Sequence, residues 1–95
     1  MAFVQLMEFT TSDPQGVTQL LDEWTDDAKY VERTVMTKHH DDPNRYCLFV
    51  FFPSYEAAME NSQRPETEGY AQQLRERSDG DITYFDLDIV EDKQL

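Results

Sequence analysis

The sequence has few basic residues, one cysteine and no long apolar run. Its 95 residues include 8 lysines and arginines against 20 acidic residues, which gives a net charge of −12 at pH 7. A chain with this charge repels phosphate backbones and anionic lipid headgroups, so we expect neither a nucleic-acid partner nor a membrane partner. No stretch approaches the roughly 20 apolar residues that a membrane span needs. The first residues also lack the basic start of a secretory signal, which favours a cytoplasmic protein.

The lone cysteine, Cys47, excludes an intramolecular disulfide and a cysteine-based zinc site. Because it stands among aromatic residues, we interpret it as a small buried apolar side chain. The cluster His39-His40-Asp41-Asp42 contains residue types that bind metals, but neighbouring residues of a strand point to opposite faces. A surface hairpin turn explains this cluster more simply, and we expect no metal site.

The chain length predicts a single domain over residues 1–95. A chain of this size buries about 60–65% of the surface that it exposes when unfolded, so its core is adequate but not generous. A homodimer would add apolar contact without adding sequence.

The most informative stretch covers residues 46–52 and reads Tyr-Cys-Leu-Phe-Val-Phe-Phe. A half-buried strand alternates apolar and polar residues, because successive side chains point to opposite faces. This segment is apolar on both faces. Each face of the strand therefore needs a partner.

Helix signals follow the first predicted strand. Asp13 suits the N-cap of a helix, and Pro14 suits its first position. The apolar residues behind them are spaced as a single helical stripe: Val17, Leu20, Leu21, Trp24 and Ala28. A second helix is predicted after Ser54, with an interruption at Pro65 that begins a further helical piece.

Strands are predicted over residues 3–10, 30–39, 45–52 and 82–90. The order β-α-β-β-α-β is that of the ferredoxin-like α+β fold, a four-stranded antiparallel sheet with two helices on one face. The other face of the sheet would be bare in a monomer, and a large bare apolar face marks an interface. We therefore expect a homodimer that pairs through this sheet face.

With this element order, the chain resembles the dimeric α+β barrel superfamily, and within it the antibiotic-biosynthesis-monooxygenase-like proteins. The resemblance covers nearly the whole chain. Besides the element order, it rests on residues 47–58 (CLFVFFPSYEAA), on Asn61-Ser62, and on residues 64–70 (RPETEGY), which resemble a stretch of small actinobacterial members. It implies a dimeric α/β barrel, in which each protomer keeps a cavity between its sheet and its helices.

Characterised members of this superfamily include cofactor-independent oxygenases of polycyclic aromatics, haem-degrading enzymes, lactone isomerases and polyketide cyclases. The haem-degrading members use a histidine in the second helix. No histidine follows His40 here, so we expect no haem and no other cofactor. The quinone-forming oxygenases carry an asparagine and a tyrosine around the second helix, which Asn61 and Tyr70 match, although their tryptophan there is missing. Asn61 and Tyr70 are therefore the catalytic candidates.

Six residues are candidates to line the implied ligand cavity: Gln5, Trp24, Met59, Asn61, Tyr70 and Tyr84. Several have a plainer structural interpretation, which is core packing for Trp24 and Tyr70 and capping for Asn61. Asp86 and Asp88 share one face of the last strand, and we interpret them as solvent-exposed rather than as an acid–base pair.

Two functions remain open at this point. The chain binds a small, largely apolar or aromatic molecule and acts on it as a cofactor-independent monooxygenase or isomerase with an aromatic or polyketide-like substrate. Alternatively, it is a non-catalytic ligand-sensing or assembly module. An open pocket would favour the first hypothesis. A cavity filled by Trp24, Met59 and Tyr70 would favour the second.

Overall fold

A computed structural model describes residues 2–95. The elements along the chain are β1 (Phe3–Thr10), α1 (Pro14–Asp27), β2 (Arg33–Lys38), β3 (Arg45–Phe52), α2 (Tyr55–Ser62), α3 (Pro65–Arg77) and β4 (Thr83–Asp88). The four strands form one antiparallel sheet in the order β2-β3-β1-β4. The predicted ferredoxin-like α+β fold is confirmed. Its second helical segment is divided into α2 and α3, as the position of Pro65 predicts.

The sheet has two chemically different faces, because the side chains of each strand alternate between them. On β3, every second residue from Tyr46 to Phe52 is buried, and this set points toward the helices. The residues between them, Cys47, Phe49 and Phe51, lie on the opposite face and are only partly buried. We call the first the helix face of the sheet and the second the open face.

The core lies between the helix face and the helices. Its buried members are Phe3, Phe9, Val17, Leu20, Tyr46, Leu48, Val50, Phe52, Ala58 and Leu74. The α1 stripe predicted from the sequence supplies Val17 and Leu20 to this core, and Leu21 and Trp24 pack against it. The sequence pattern therefore identified the side of α1 that turns inward.

Local capping fixes where the helices begin. The carboxylate of Asp13 accepts a hydrogen bond from the backbone N–H of Gly16 at 3.0 Å, and the Ser54 hydroxyl accepts one from Ala57 at 3.1 Å. Both bonds satisfy N–H groups that have no partner within the first turn of a helix. Pro65 stands at the first position of α3, where its missing N–H costs nothing.

Two strands are shorter than predicted. β2 begins at Arg33 rather than at residue 30, because Tyr30 has a φ of 69° and lies in the left-handed region, which interrupts an extended backbone. β4 covers Thr83–Asp88 rather than residues 82–90. Its length follows from its neighbour, since Asp88 pairs with Phe3 at the start of β1.

The open face carries apolar side chains from all four strands: Val4, Leu6, Val35, Phe49, Phe51, Phe85 and Leu87. At the β4 edge of the sheet, Phe85 is 44% exposed and Leu87 is 40% exposed. Within residues 2–95, no helix is long and apolar enough to cross a membrane.

Candidate functional site

A cavity of about 310 Å³ lies between the helix face of the sheet, α1 and α3. Its walls are mostly apolar. The lining residues are Gln5, Met7, Val17, Leu20, Leu21, Trp24, Leu48, Ser62, Thr67, Glu68, Tyr70, Ala71, Leu74, Arg75 and Tyr84. Tyr84 of β4 lines the cavity and is 47% exposed, and Glu68 and Arg75 on α3 are also partly exposed. This volume is at the lower end of the range of about 300–1,000 Å³ that is usual for ligand pockets.

The floor and one wall of the cavity follow from sequence periodicity. On β1, alternation places Gln5 and Met7 on the helix face, and the register sets Met7 opposite Leu48 on β3 and Tyr84 on β4. The apolar stripe of α1 forms the wall above them. The amide of Gln5 donates to the carboxylate of Asp86 at 3.4 Å, which orients this polar side chain at the floor.

Charged and polar groups gather at the α3 side of the opening. The Arg75 guanidinium donates to the Glu68 carboxylate at 2.8 Å. This bond to Glu68 raises the pKa of Arg75 above its ordinary value, and the nearby Tyr84 hydroxyl contributes in the same direction. Arg75 therefore stays charged at the rim of a largely apolar cavity, with its side chain 42% exposed.

Four of the six predicted cavity residues lie around this one cavity: Gln5, Trp24, Tyr70 and Tyr84. The Tyr70 hydroxyl donates to the backbone carbonyl of Glu23 at 3.4 Å and thereby connects α3 to α1. Trp24 and Tyr70 border the space and do not fill it.

Asn61 and Met59 lie elsewhere. Asn61 is 3% exposed at the end of α2, and its backbone carbonyl accepts from the N–H of Arg64 at 3.2 Å. Its side-chain oxygen has no hydrogen-bond partner within the described chain. Met59 packs against the core. The structure therefore does not bring the two catalytic candidates, Asn61 and Tyr70, together at the cavity wall, and their roles stay predictions.

Comparison with known proteins gives a consistent result for the fold. No protein-family model matches the sequence, and no curated protein matches it. Solved structures do match. A single-residue variant of SnoaB, a cofactor-independent oxygenase from Streptomyces nogalater, superposes with a TM-score of 0.82 at 14% identity, over 96% of this chain and 95% of that one.

Two further structures agree. Rv0793 from Mycobacterium tuberculosis matches with a TM-score of 0.77 at 16% identity, over 99% of this chain and 100% of that one. A Caulobacter crescentus protein, named as a candidate antibiotic biosynthesis monooxygenase, matches with a TM-score of 0.76 at 10% identity, over 95% of this chain and 91% of that one. The chain has the ferredoxin-like α+β fold that these three structures share. The resemblance stated from the sequence is confirmed at the level of the fold.

The polar rim of the cavity comes from Glu68 and Arg75 of α3, which the sequence did not predict as cavity residues. Glu68, Ala71 and Arg75 recur at spacings of three and four along α3, so they share a helix face with Leu74. The apolar pattern of α3 predicts Tyr70, Ala71 and Leu74 as its inward-facing residues, but it gives no sign that Glu68 and Arg75 lie beside them. Thr67 was also missed, and its hydroxyl is buried without a partner in the described residues.

A second group of reactive side chains lies on the open face, at the end of the strands nearest the β2–β3 turn. The Cys47 sulfur lies 3.8 Å from a carboxylate oxygen of Glu8 and 3.7 Å from Nε2 of His39. Arg45 pairs with the other carboxylate oxygen of Glu8. In the sequence, His39 and Cys47 belong to separate patterns, and nothing marks Glu8 as their partner.

The charges in this group shift two pKa values. The hydrogen bond from Arg45 lowers the pKa of Glu8 below its ordinary value. Burial raises the pKa of the Cys47 thiol, and the neighbouring Glu8 carboxylate raises it further. Cys47 is therefore a protonated thiol near neutral pH, hydrogen-bonded to an ionised carboxylate.

Proposed function

We propose that the cavity between the sheet and the helices binds a small, largely apolar or aromatic molecule. The observation that carries this proposal is the cavity itself, about 310 Å³ of space with mostly apolar walls and a polar rim. Trp24, Tyr70 and Tyr84 contribute aromatic surface, which favours a flat ring system through offset or edge-to-face packing. The modest volume favours a compact ligand.

We further propose that the protein acts on this ligand as a cofactor-independent monooxygenase, with a phenolic, polyketide-like aromatic as substrate. The fold is shared with SnoaB, which is named as a cofactor-independent oxygenase. The position of Arg75 supports the same proposal, because a guanidinium at the rim of an apolar cavity stabilises an ionised phenol or enolate.

Such a reaction needs no external reductant. A ring methylene activated by neighbouring phenols loses a proton, and the resulting carbanion gives electrons to O₂. The methylene becomes a carbonyl, one oxygen atom enters the product, and the other leaves as water. The substrate supplies all four electrons, so the atoms and charges balance without a cofactor.

We also propose that a second copy of the chain covers the open face. Seven apolar side chains from all four strands lie on that face, and Phe85 and Leu87 remain 44% and 40% exposed in a single copy. An isologous dimer would cover them with the same surface of its twin. This arrangement is the dimeric α/β barrel that the sequence resemblance implies.

Ligand binding is testable with the protein's own fluorescence, because Trp24 is the single tryptophan and lines the cavity. We expect 1,8-dihydroxyanthraquinone to quench it with saturation. Ala71→Leu should abolish most of this quenching, because the added methyl groups occupy the cavity. The matched control, Gln19→Leu, places the same side chain on an exposed position of α1. Equal quenching in both variants would refute binding in this cavity.

The reaction is testable with 1,8-dihydroxyanthrone, by oxygen uptake and by quinone absorbance above the spontaneous rate. Arg75→Gln should lower kcat/KM about tenfold or more, since one hydrogen bond to a charged group contributes about 1.5–3 kcal/mol. Tyr70→Phe should lower it less, because its hydroxyl already bonds Glu23. Quenching by the quinone without any oxygen uptake would remove the enzymatic proposal and leave a non-catalytic ligand-binding protein.

A further inference from the structure

The cluster of Glu8, His39 and Cys47 brings three different metal-binding side chains together on the open face. One ligand atom from each lies within 4.8 Å of the other two. Glu8 lies on β1, far in sequence from the other two residues, whereas His39 follows β2 and Cys47 lies on β3, across the same hairpin. Their convergence therefore depends on the register of the sheet and not on a local sequence motif.

The register holds all three side chains on the same face. Glu8 and Cys47 are directly opposite each other on β1 and β3. Cys47 also faces Thr37 on β2, and His39 follows two residues later, so it returns to the same side. The backbone N–H of His39 donates to the carbonyl of Arg45 at 2.9 Å, which extends the β2–β3 ladder to this histidine. Rigid strands thus position the three ligand atoms.

We propose that Glu8, His39 and Cys47 bind a divalent transition-metal ion, with Zn²⁺ as the best match. The Cys47 thiol would release its proton to solvent on binding, and the resulting thiolate, one imidazole nitrogen and one carboxylate oxygen are ligands that Zn²⁺ accepts. Three protein ligands leave a fourth position for water or a small anion. The atoms around a tetrahedral zinc lie about 3.3–3.7 Å apart, from bond lengths of about 2.0–2.3 Å. The sulfur–nitrogen distance of 3.7 Å and the sulfur–oxygen distance of 3.8 Å need to shorten only slightly.

The neighbours of the cluster suit this role. Arg45 pairs with one carboxylate oxygen of Glu8, and the other oxygen faces Cys47. Carboxylates that bind metals are commonly oriented in this way by a hydrogen bond to the oxygen that does not bind the ion. The Thr37 hydroxyl donates to the Cys47 carbonyl at 3.3 Å and secures the backbone there. The cluster lies on the open face two residues beyond Leu6 along β1, at the end of the sheet nearest the β2–β3 turn.

The chain offers a matched control for this proposal, because His40 is exposed beside His39 but is not part of the cluster. Zinc chloride titrated into the protein by calorimetry, with excess Mg²⁺ to occupy the acidic surface, should show one site per chain. His39→Gln, Glu8→Gln and Cys47→Ser should each weaken zinc binding at least tenfold, and His40→Gln should not change it. Far-ultraviolet circular dichroism checks that each variant is folded.

Cobalt provides a readout that non-specific binding of metal ions to surface carboxylates would not give. Co²⁺ added to the protein should produce a thiolate-to-cobalt charge-transfer absorption, which persists in His40→Gln and disappears in Cys47→Ser. The proposal is overturned if the unmodified protein takes up no zinc in the presence of Mg²⁺. It is also overturned if the cobalt band is absent, or if His40→Gln weakens zinc binding as much as His39→Gln.

Discussion

Thr11 connects two parts of the fold through one fully buried hydroxyl and a third through its backbone N–H, so removal of the hydroxyl should be costly. The side chain is 0% exposed. Its hydroxyl donates to the carbonyl of Arg77 at the end of α3 at 2.6 Å, and accepts from the N–H of Asp13 before α1 at 3.0 Å. The backbone N–H of Thr11 also donates to Asn44 at 3.0 Å, in the β2–β3 turn. We expect Thr11→Val to break the two hydroxyl bonds and leave the shape unchanged.

The magnitude follows from the groups left without partners. Each buried donor or acceptor that loses its hydrogen bond costs about 1–3 kcal/mol, and two are affected here, with a partial offset because the buried hydroxyl becomes a methyl group. We expect the free energy of unfolding to fall by about 2–4 kcal/mol. For a chain of this size, that corresponds to a decrease in Tm of very roughly 10–25 °C.

The assay is urea unfolding followed by circular dichroism at a fixed protein concentration. Thr18→Val is the matched control, because the Thr18 hydroxyl is exposed on α1 and bonds only the carbonyls of Pro14 and Gln15. Its effect should stay within about 0.5 kcal/mol. Thr11→Ser keeps the hydroxyl and should cost about 1 kcal/mol for the lost methyl group. If Thr11→Val is no less stable than Thr18→Val, the reasoning about this buried hydroxyl is wrong.

Three further predictions concern local structure. Gly80 has a φ of 94°, which an alanine adopts only with strain, so Gly80→Ala should destabilise the protein by about 1 kcal/mol. Gly69 lies in α3 with open space around it, so Gly69→Ala should stabilise the protein by about 0.5–1 kcal/mol. Urea melts showing the same sign for both would contradict this. Asp13→Ala should cost about 1 kcal/mol in thermal melts through the lost cap, and Asp13→Ser should recover most of it. Glu60, 3.1 Å from the Tyr30 hydroxyl, raises the pKa of Tyr30 above 10.0, and Glu60→Gln should bring it back in an ultraviolet titration. Because this folded-state pKa is raised, the stabilisation from the pair should be complete below about pH 10 and lost as the pH rises through the folded pKa. A tyrosine titration curve that Glu60→Gln leaves unchanged would count against the pairing.

Local sequence signals predicted the architecture because they act over a few residues. The cap at Asp13, the stripe beginning at Val17 and the break at Pro65 each depend on neighbours within one or two helical turns. The continuous apolar segment that forms β3 predicted a strand whose two faces are both covered by other parts of the protein. These features together predict the order of helices and strands. Because crossover connections are right-handed, only a few sheet topologies are compatible with that order.

The reactive groups were less predictable because they depend on register and on the space between layers. A shift of two residues between β1 and β3 would keep every side chain on its face, so alternation alone cannot place Glu8 opposite Cys47. The cavity depends on how far α1 and α3 stand from the sheet, which no local pattern specifies. Asn61 illustrates the same limit, since a position near the predicted helix break gave no information on which way its side chain would turn.

The charge distribution leads to a final prediction about the proposed dimer. Although the chain carries a net charge of −12, the strand residues on the open face include only Glu8, Arg33 and Arg45 as charged groups. Glu8 is paired with Arg45, and the guanidinium of Arg33 lies 5.3 Å from the ring centre of Phe51. The attraction between two copies should therefore be apolar, and their net charges should repel each other at long range.

Salt separates these two contributions. The screening length falls from about 10 Å at 0.1 M to about 3 Å at 1 M salt, so added NaCl should reduce the repulsion and leave apolar contact intact. We expect sedimentation to show a dimer whose Kd decreases as NaCl rises from low to high concentration. Phe85→Glu should weaken the dimer at every salt concentration, because it places a charge among the apolar side chains of the open face. Tyr55→Glu, at an exposed position on α2, should not weaken it. A dimer that weakens with salt would mean that ion pairs hold it together, and the apolar open face would then not be its interface.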